Sequence, residues 1–437
     1  MYRLLTSVLL TWGLMLCLAL LPTAAAQTIG PDDGALQDHI DAAEPGAVLT
    51  LAPGTYEGGI TVDKPLTLKG EPGAVIDAAG EGDVIRVEAS DVRIEGLTLR
   101  RSGFNLTDMN SGIHAARGSH NLHVEGNTLE DVAFGVWVWH SEHPTVVNNR
   151  ITGDPTVRSQ DRGDAIRLYN VSGGLVAFNT VRHARDGVYI DTSREVEFRS
   201  NHFSELRYGI HYMYSHHGRI VDNTTTRTRS GYALMMSNHL EVVGNRSLRD
   251  HNYGILLNFV NYSTIEDNLV DRVTGWAGGS TREHGVTLGS EGKAIFIYNS
   301  HGNSVSDNLF ARTEIGIHLT AGSNHNQFHG NSFIANQHQV MYVANREEEW
   351  SHEGRGNYWS DYMGWDLAGD GIGDTPYEPN DAMDGVLWKY PMAKILTNSP
   401  AVQLLRWVQR QFPVLRPSGV RDSAPLIAPP HDLEVLK

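Results

Sequence analysis

The chain has 437 residues, and its 51 Asp and Glu against 35 Lys and Arg give a formal net charge of −16, which speaks against nucleic acid as a partner. Its single cysteine, Cys17, lies in an N-terminal apolar run, so the mature protein forms no disulfide and offers no thiolate, and a soft metal ion would have to be held by Met and His. The 45 glycines recur periodically and are not spread as in a flexible linker.

Arg3, the apolar run Leu4 to Leu21 and Ala24-Ala25-Ala26 before Gln27 predict a cleaved export signal over residues 1–26. An uncleaved anchor is the alternative, since the run is nearly long enough to span a bilayer. What remains is too long for one ordinary globular core but natural for a solenoid, which grows by adding coils. Near its start, Ala35 to Ala43, with Leu36 and Ile40 four apart, predicts a short helix over the open end of that solenoid.

Asparagines fall at Asn127, Asn149, Asn179, Asn201, Asn223, Asn245, Asn268, Asn308 and Asn331, with spacings of 22, 30, 22, 22, 22, 23, 40 and 23. A period of 22 broken by insertions predicts stacked supersecondary units, an all-β parallel β-helix over residues 27–345. Stacked Asn side chains form amide ladders and tolerate a left-handed turn, so these asparagines read as structural.

A small residue, such as Gly187, Gly209 or Gly231, follows each Asn step and opens an alternating strand. Counted from it, positions one and three are apolar and predict the core, as with Ile210 and Tyr212. Positions two and four then face outward, and they hold His114, Trp137, Trp139, Arg167, Tyr169, Tyr189, Asp191, His211, Met213 and Met235. Such a stripe marks a binding surface or one covered by the chain's own loops. Extra residues in Arg101 to Ser111, Gly153 to Arg162 and Val273 to Gly292 all enter before these strands, which places function on the loop-bearing face.

Shifting Tyr208 to Gly218 by 22 residues superposes Met213 on Met235, Ser215 on Ser237 and His217 on His239. Thioether sulfur and imidazole nitrogen suit Cu(I), so Met213, Met235, His211, His217 and His239 form the candidate copper site, with packing under a loop as the competing explanation. His120 and His143, which share one phase in this reading, offer an alternative second site.

Residues 346–393 predict a non-repetitive capping segment. Within it Asp366, Asp370 and Asp374 form a candidate calcium loop, the alternative being an ordered Asx-rich turn. Residues 394–437 predict a basic amphipathic helix and tail, helical from Pro400 to Phe412. Leu405, Arg406, Val408, Arg410 and Phe412 would dock on a membrane surface or a membrane-embedded partner, or else fold back on the solenoid.

An enzyme of uronic-acid polymers, a lyase or epimerase, or a polysaccharide-binding β-helix, is the competing class. Against it, the sequence shows no Asp pair on the outward strands and no Asp-Pro-His-Asp motif.

The exported repeat chain, the segment GNYWSDYMGWDLAGDGIGDTPYEPND from Gly356, LWKYP at Leu387 to Pro391, and NSPAVQLLRWVQRQFPVLRP at Asn398 to Pro417 together resemble the NosD family, periplasmic maturation proteins of nitrous-oxide reductase. The resemblance implies a right-handed parallel β-helix without catalysis of its own. It implies association with the membrane subunit of an ABC transporter, which would hold the protein peripherally at the inner membrane. It also implies copper taken from a membrane-anchored chaperone and delivered toward the nitrous-oxide reductase apoprotein.

Overall fold

A computed structural model describes residues 26–275, 291–320, 322–343, 346–380, 399–411 and 419–437. All but one residue of the expected export signal lies outside them. The 22-residue period becomes one coil of three short strands. In the coil from residue 197, Glu197–Arg199 belongs to sheet one, His202–Ser204 to sheet two and Tyr208–Met213 to sheet three. Stacked coils give parallel sheets of 13, 13 and 12 strands among the described residues, the right-handed parallel β-helix expected, in line with the handedness of parallel crossovers.

Alternation along each strand fills the interior. Ile210 and Tyr212 are fully buried, and their columns run Val188, Ile210, Tyr232, Ile255 and Ile190, Tyr212, Leu234, Leu257. Between sheets one and two, Asn127 to Asn331 form a continuous amide ladder. Asn201 Nδ2, for example, donates to Asn223 Oδ1 at 2.9 Å and to the Val176 carbonyl at 2.9 Å. The backbone N–H of Asn201 uses the same Asn223 oxygen at 3.1 Å. Every amide is thus satisfied in a buried corner, where an orphaned polar group would cost about 1–3 kcal/mol.

Helix α1, Leu36–Ala42, buries Leu36 and Ile40 against the first coils, as the four-residue spacing predicts. The other end is sealed by rings. Phe328 stacks on Trp350 at 4.2 Å, Phe333 on Trp359 at 4.3 Å and Trp359 on Tyr377 at 4.7 Å. Tyr358–Trp359 also adds the last strand of sheet two, so the solenoid reaches into the segment expected to cap it.

Helix α2, Pro400–Gln411, starts where Asn398-Ser399-Pro400 predicts, and Ser399 Oγ accepts the N–H of Val402 at 3.3 Å. It does not lead into a free tail. Val420–Arg421 pairs with Glu348–Glu349, and Tyr377 and Asp422 exchange backbone hydrogen bonds at 2.9 Å. His431 bonds Ser332 Oγ at 2.7 Å and the Asp307 carbonyl at 2.9 Å. The helix therefore sits within an excursion between Asn380 and Gly419, whose ends meet on the last coil: a Cβ on Gly419 would lie 3.4 Å from that of Asn380.

Candidate functional site

The three insertions all enter between a strand of sheet two and a strand of sheet three, and residues 276–290 of the third lie outside the described residues. The first covers part of the outward stripe, where Trp137 is buried against Phe134, Leu106 and Met109. Trp139 and Tyr169, one column further along, stay exposed. Cover by the chain's own loop therefore holds at Trp137, while Trp139 and Tyr169 stand open to solvent.

Met213 and Met235 are register partners on adjacent coils, about 4.8 Å apart along the axis, and both are partly exposed. The Tyr189 hydroxyl reaches Met213 Sδ at 3.6 Å and Asp191 Oδ2 at 3.3 Å. His211 lies two residues before Met213 on the same face, 8 % exposed. Its ring is held edge-on by Tyr189 at 4.6 Å and Tyr208 at 4.9 Å.

Asp186, fully buried, places Oδ2 3.0 Å from His211 Nδ1, and Arg207 Nη2 approaches the same nitrogen at 3.4 Å. Arg207 grips the same carboxylate through Nε and Nη2, the Nε bond being 2.8 Å. Burial works against the charge of Asp186, but the His211 and Arg207 contacts outweigh it and hold its pKa below the ordinary value.

Two acids beside the outward strands escaped the sequence reading because they are buried at the strand starts. Asp164 and Asp186 occupy equivalent places on adjacent coils, each just before the small residue, and both are fully buried. Arg185 and Arg167 hold Asp164 at 2.7 and 3.0 Å. Arg167 in turn lies between Trp137, at 4.6 Å, and Tyr189, at 4.3 Å. These carboxylates are taken up by guanidinium groups. The signal in the sequence was an acid immediately before Ala165 and again before Gly187, in a position that reads as loop.

His217 and His239 stack at 4.9 Å with planes 8° apart, and Tyr262 continues the stack at 5.7 Å from His239. They stand at the corner between sheets three and one, beyond the left-handed turn at Tyr214 and the buried Ser215. The five expected copper residues therefore divide into Met213, Met235 and His211 on sheet three and a histidine pair at the corner.

The expected second site is corrected by register. His120 is the counterpart of Glu142, and His143 is the counterpart of Asn121, so the two histidines lie in neighbouring columns. His120, His216 and His301 share one column. The Nδ1 of each accepts a backbone N–H of the next coil, at 3.1, 3.1 and 3.2 Å. Their role is to carry the solenoid's hydrogen bonds.

Asp366, Asp370 and Asp374 fold into one turn. Asp366 accepts the N–H groups of Gly369 and Gly371 at 2.5 and 2.8 Å, Asp370 that of Ile372 at 3.0 Å, and Asp374 that of Leu367 at 2.6 Å. In α2 Val402 is buried, whereas Leu404, Leu405, Trp407 and Val408 are exposed. The side chains of Arg406 and Arg410, and all of Phe412, lie outside the described residues. No helix among the described residues is long and apolar enough to cross a membrane.

Among solved structures, the catalytic unit of a GH87 α-1,3-glucanase from Streptomyces thermodiastaticus is similar with a TM-score of 0.58 and 16 % identity, over 79 % of this chain and 70 % of that one. PfbA, a surface adhesin of Streptococcus pneumoniae, is similar with a TM-score of 0.51 and 14 % identity, over 72 % and 91 %. At such identities the likeness is one of fold. The family model described as "Periplasmic copper-binding protein (NosD)" matches residues 147–364. A relative from Pseudomonas aeruginosa, named a probable ABC transporter binding protein NosD, is 49 % identical over 381 residues, 87 % of this chain and 88 % of its own. A second of the same name, from Stutzerimonas stutzeri, is 49 % identical over 382 residues, 87 % of each chain. At that identity across most of both sequences, the protein belongs to the NosD family.

Proposed function

We propose that the protein is a periplasmic, non-catalytic copper-binding component that works with an ABC transporter to deliver copper for assembly of the copper centres of nitrous-oxide reductase. The observation that carries this reading is the in-register pair Met213 and Met235 beside His211, on the loop-bearing face. Thioether and imidazole donors are uncharged and soft, so they hold Cu(I) while letting it pass to a partner. The family description and the relatives' names support the copper and transporter parts respectively. A membrane-anchored chaperone as donor and the nitrous-oxide reductase apoprotein as recipient complete the route.

Helix α2 is the docking element in this reading. Its exposed Leu404, Leu405, Trp407 and Val408 are apolar, and residues 389–421 hold six basic and no acidic side chains in a chain of net charge −16. That composition suits a transporter subunit at an anionic membrane face.

Anaerobic titration with Cu(I) against a chromogenic chelator tests the copper reading. Wild-type protein should withdraw Cu(I) from the chelator, and Met213→Ala, Met235→Ala and His211→Ala should each weaken it by about tenfold or more, the scale of a lost ligand interaction of roughly 1.4 kcal/mol. His216→Ala should not, because His216 Nδ1 already accepts the Asn238 N–H. Unchanged affinity in all three site variants would remove the site.

A further inference from the structure

A buried carboxylate bonded to one ring nitrogen of a histidine decides which nitrogen of that ring is left to bind. Asp186 Oδ2 lies 3.0 Å from His211 Nδ1, and no hydrogen-bond partner of Nε2 occurs among the described residues. Arg207 Nε holds the second carboxylate oxygen, Oδ1, at 2.8 Å, while its Nη2 reaches Oδ2 and lies 3.4 Å from His211 Nδ1, further than the carboxylate, and the Tyr189 and Tyr208 rings fix the imidazole plane. Asp186, Arg207 and His211 come from two adjacent coils, so the arrangement is set by the solenoid itself.

We propose that Asp186 is the positioning residue for copper on this face: it holds His211 as the Nδ1–H tautomer and so presents the Nε2 lone pair beside Met213 and Met235. This inference rests on the copper reading above. In the neutral ring an Nδ1–H that donates to a carboxylate leaves the lone pair on Nε2 as the donor available to a metal ion. Arg207 contacts both oxygens of Asp186, so the carboxylate is held in place as the partner of His211. Tyr189 stands at the next ligand, its hydroxyl 3.6 Å from Met213 Sδ and 3.3 Å from Asp191 Oδ2, so its one proton has the carboxylate to go to when a metal ion takes the thioether. His216, His120 and His301 show the opposite arrangement, in which Nδ1 accepts a backbone N–H. In those rings the proton sits on Nε2 and the lone pair is spent within the solenoid.

The test has two parts on the full mature protein. Nitrogen-15 NMR of histidine-labelled, metal-free protein, with the His211 signals assigned by their loss in His211→Ala, should show the Nδ1–H tautomer. In Asp186→Asn, where an amide can turn its N–H toward Nδ1, the signals should shift toward the Nε2–H form. Cu(I) affinity of that variant should fall about 10- to 100-fold, the range for removing a group that orients a ligand. Because Asp186→Asn also unpairs Arg207, Arg207→Lys serves as the stability control: it keeps the charge beside Asp186 but loses the two-point contact, so it should lower the melting temperature and leave the tautomer and most of the affinity in place. An Nε2–H tautomer in the wild type would overturn the proposal. So would an unchanged affinity in Asp186→Asn while His211→Ala abolishes binding. If His211→Ala itself leaves affinity untouched, it is the copper site that fails.

Discussion

Asn357 ends the asparagine ladder on Asp422: its backbone N–H and its Nδ2 both donate to Asp422 Oδ2, at 2.7 and 3.3 Å. The indole N–H of Trp359 joins them at 2.8 Å. A carboxylate from the returning end of the chain thus stands where the next asparagine would be, and it closes the row of amides that runs along the solenoid.

Burial outweighs these donors and lifts the Asp422 pKa from 3.8 to about 6. A carboxyl that binds its proton more tightly when folded favours folding most below pH 3.8; its contribution falls as the pH rises to about 6 and is constant above. Asp422→Asn keeps an acceptor without the charge, so its melting temperature relative to wild type should climb between pH 4 and pH 6 and then level, a gain on the order of 2 kcal/mol. Asp422→Ala, which takes the acceptor from the buried N–H groups of Asn357, Trp359 and Ala424, should instead cost about 3 kcal/mol or more at any pH. Thermal unfolding of the three proteins from pH 4 to pH 8 checks both outcomes.

His318 gives the opposite slope. Burial, with the Lys293 charge adding to it, pushes its pKa from 6.5 down to about 3, and its buried Nδ1 has no hydrogen-bond partner among the described residues. The folded protein resists protonating this ring, so stability is full above pH 6.5 and is lost as the pH falls below it. His318→Phe keeps the stack on Phe296, at 4.5 Å in the wild type. It should be the more stable protein at pH 5, by about 1–3 kcal/mol, with a smaller difference at pH 8.

Within the ladder, Asn223→Ala removes bonds from Nδ2 to Asn245 Oδ1, the Phe198 carbonyl and the Val221 carbonyl at 3.0, 2.9 and 3.1 Å. It also leaves the two Asn201 donors without their acceptor. A loss of about 3–5 kcal/mol is expected. Amide hydrogen exchange should accelerate first in the coils on either side, because each coil of a solenoid leans on its neighbours.

Replacing residues 381–418 by a short glycine linker should leave the β-helix folded, since Asn380 and Gly419 already meet on the last coil. The shortened protein should no longer co-purify with the transporter from membranes, while Cu(I) affinity stays at the wild-type value. A retained complex would refute docking through α2. Truncation from residue 394 onward is a poorer probe, because it also removes Val420, Asp422 and His431 from the body.

The solenoid was largely legible because its determinants repeat. Asparagines 22 residues apart, with an alternating strand after each, fix the coil, and the inward places of Ile210 and Tyr212 follow from parity alone. Asn357 escaped because it stands 26 residues after Asn331, in a segment where the repeat is overtaken by aromatic and acidic residues. Asp422, 65 residues later still, has no local pattern that points to the ladder. At the site, the same shift that pairs Met213 with Met235 also pairs His217 with His239, but only the coil's corner tells that a turn parts the two pairs. Asp186 was missed for a different reason. An acid before a glycine reads as a loop residue, and its burial depends on Arg207 arriving from the next coil.

The most direct test of the account is copper X-ray absorption on Cu(I)-loaded protein, wild type against the double variant Met213→Ala, Met235→Ala. The account predicts a first coordination shell with sulfur and imidazole nitrogen in the wild type, and loss of the sulfur component in the double variant. A shell of nitrogen and oxygen alone in the wild type, or sulfur that persists in the double variant, would contradict it.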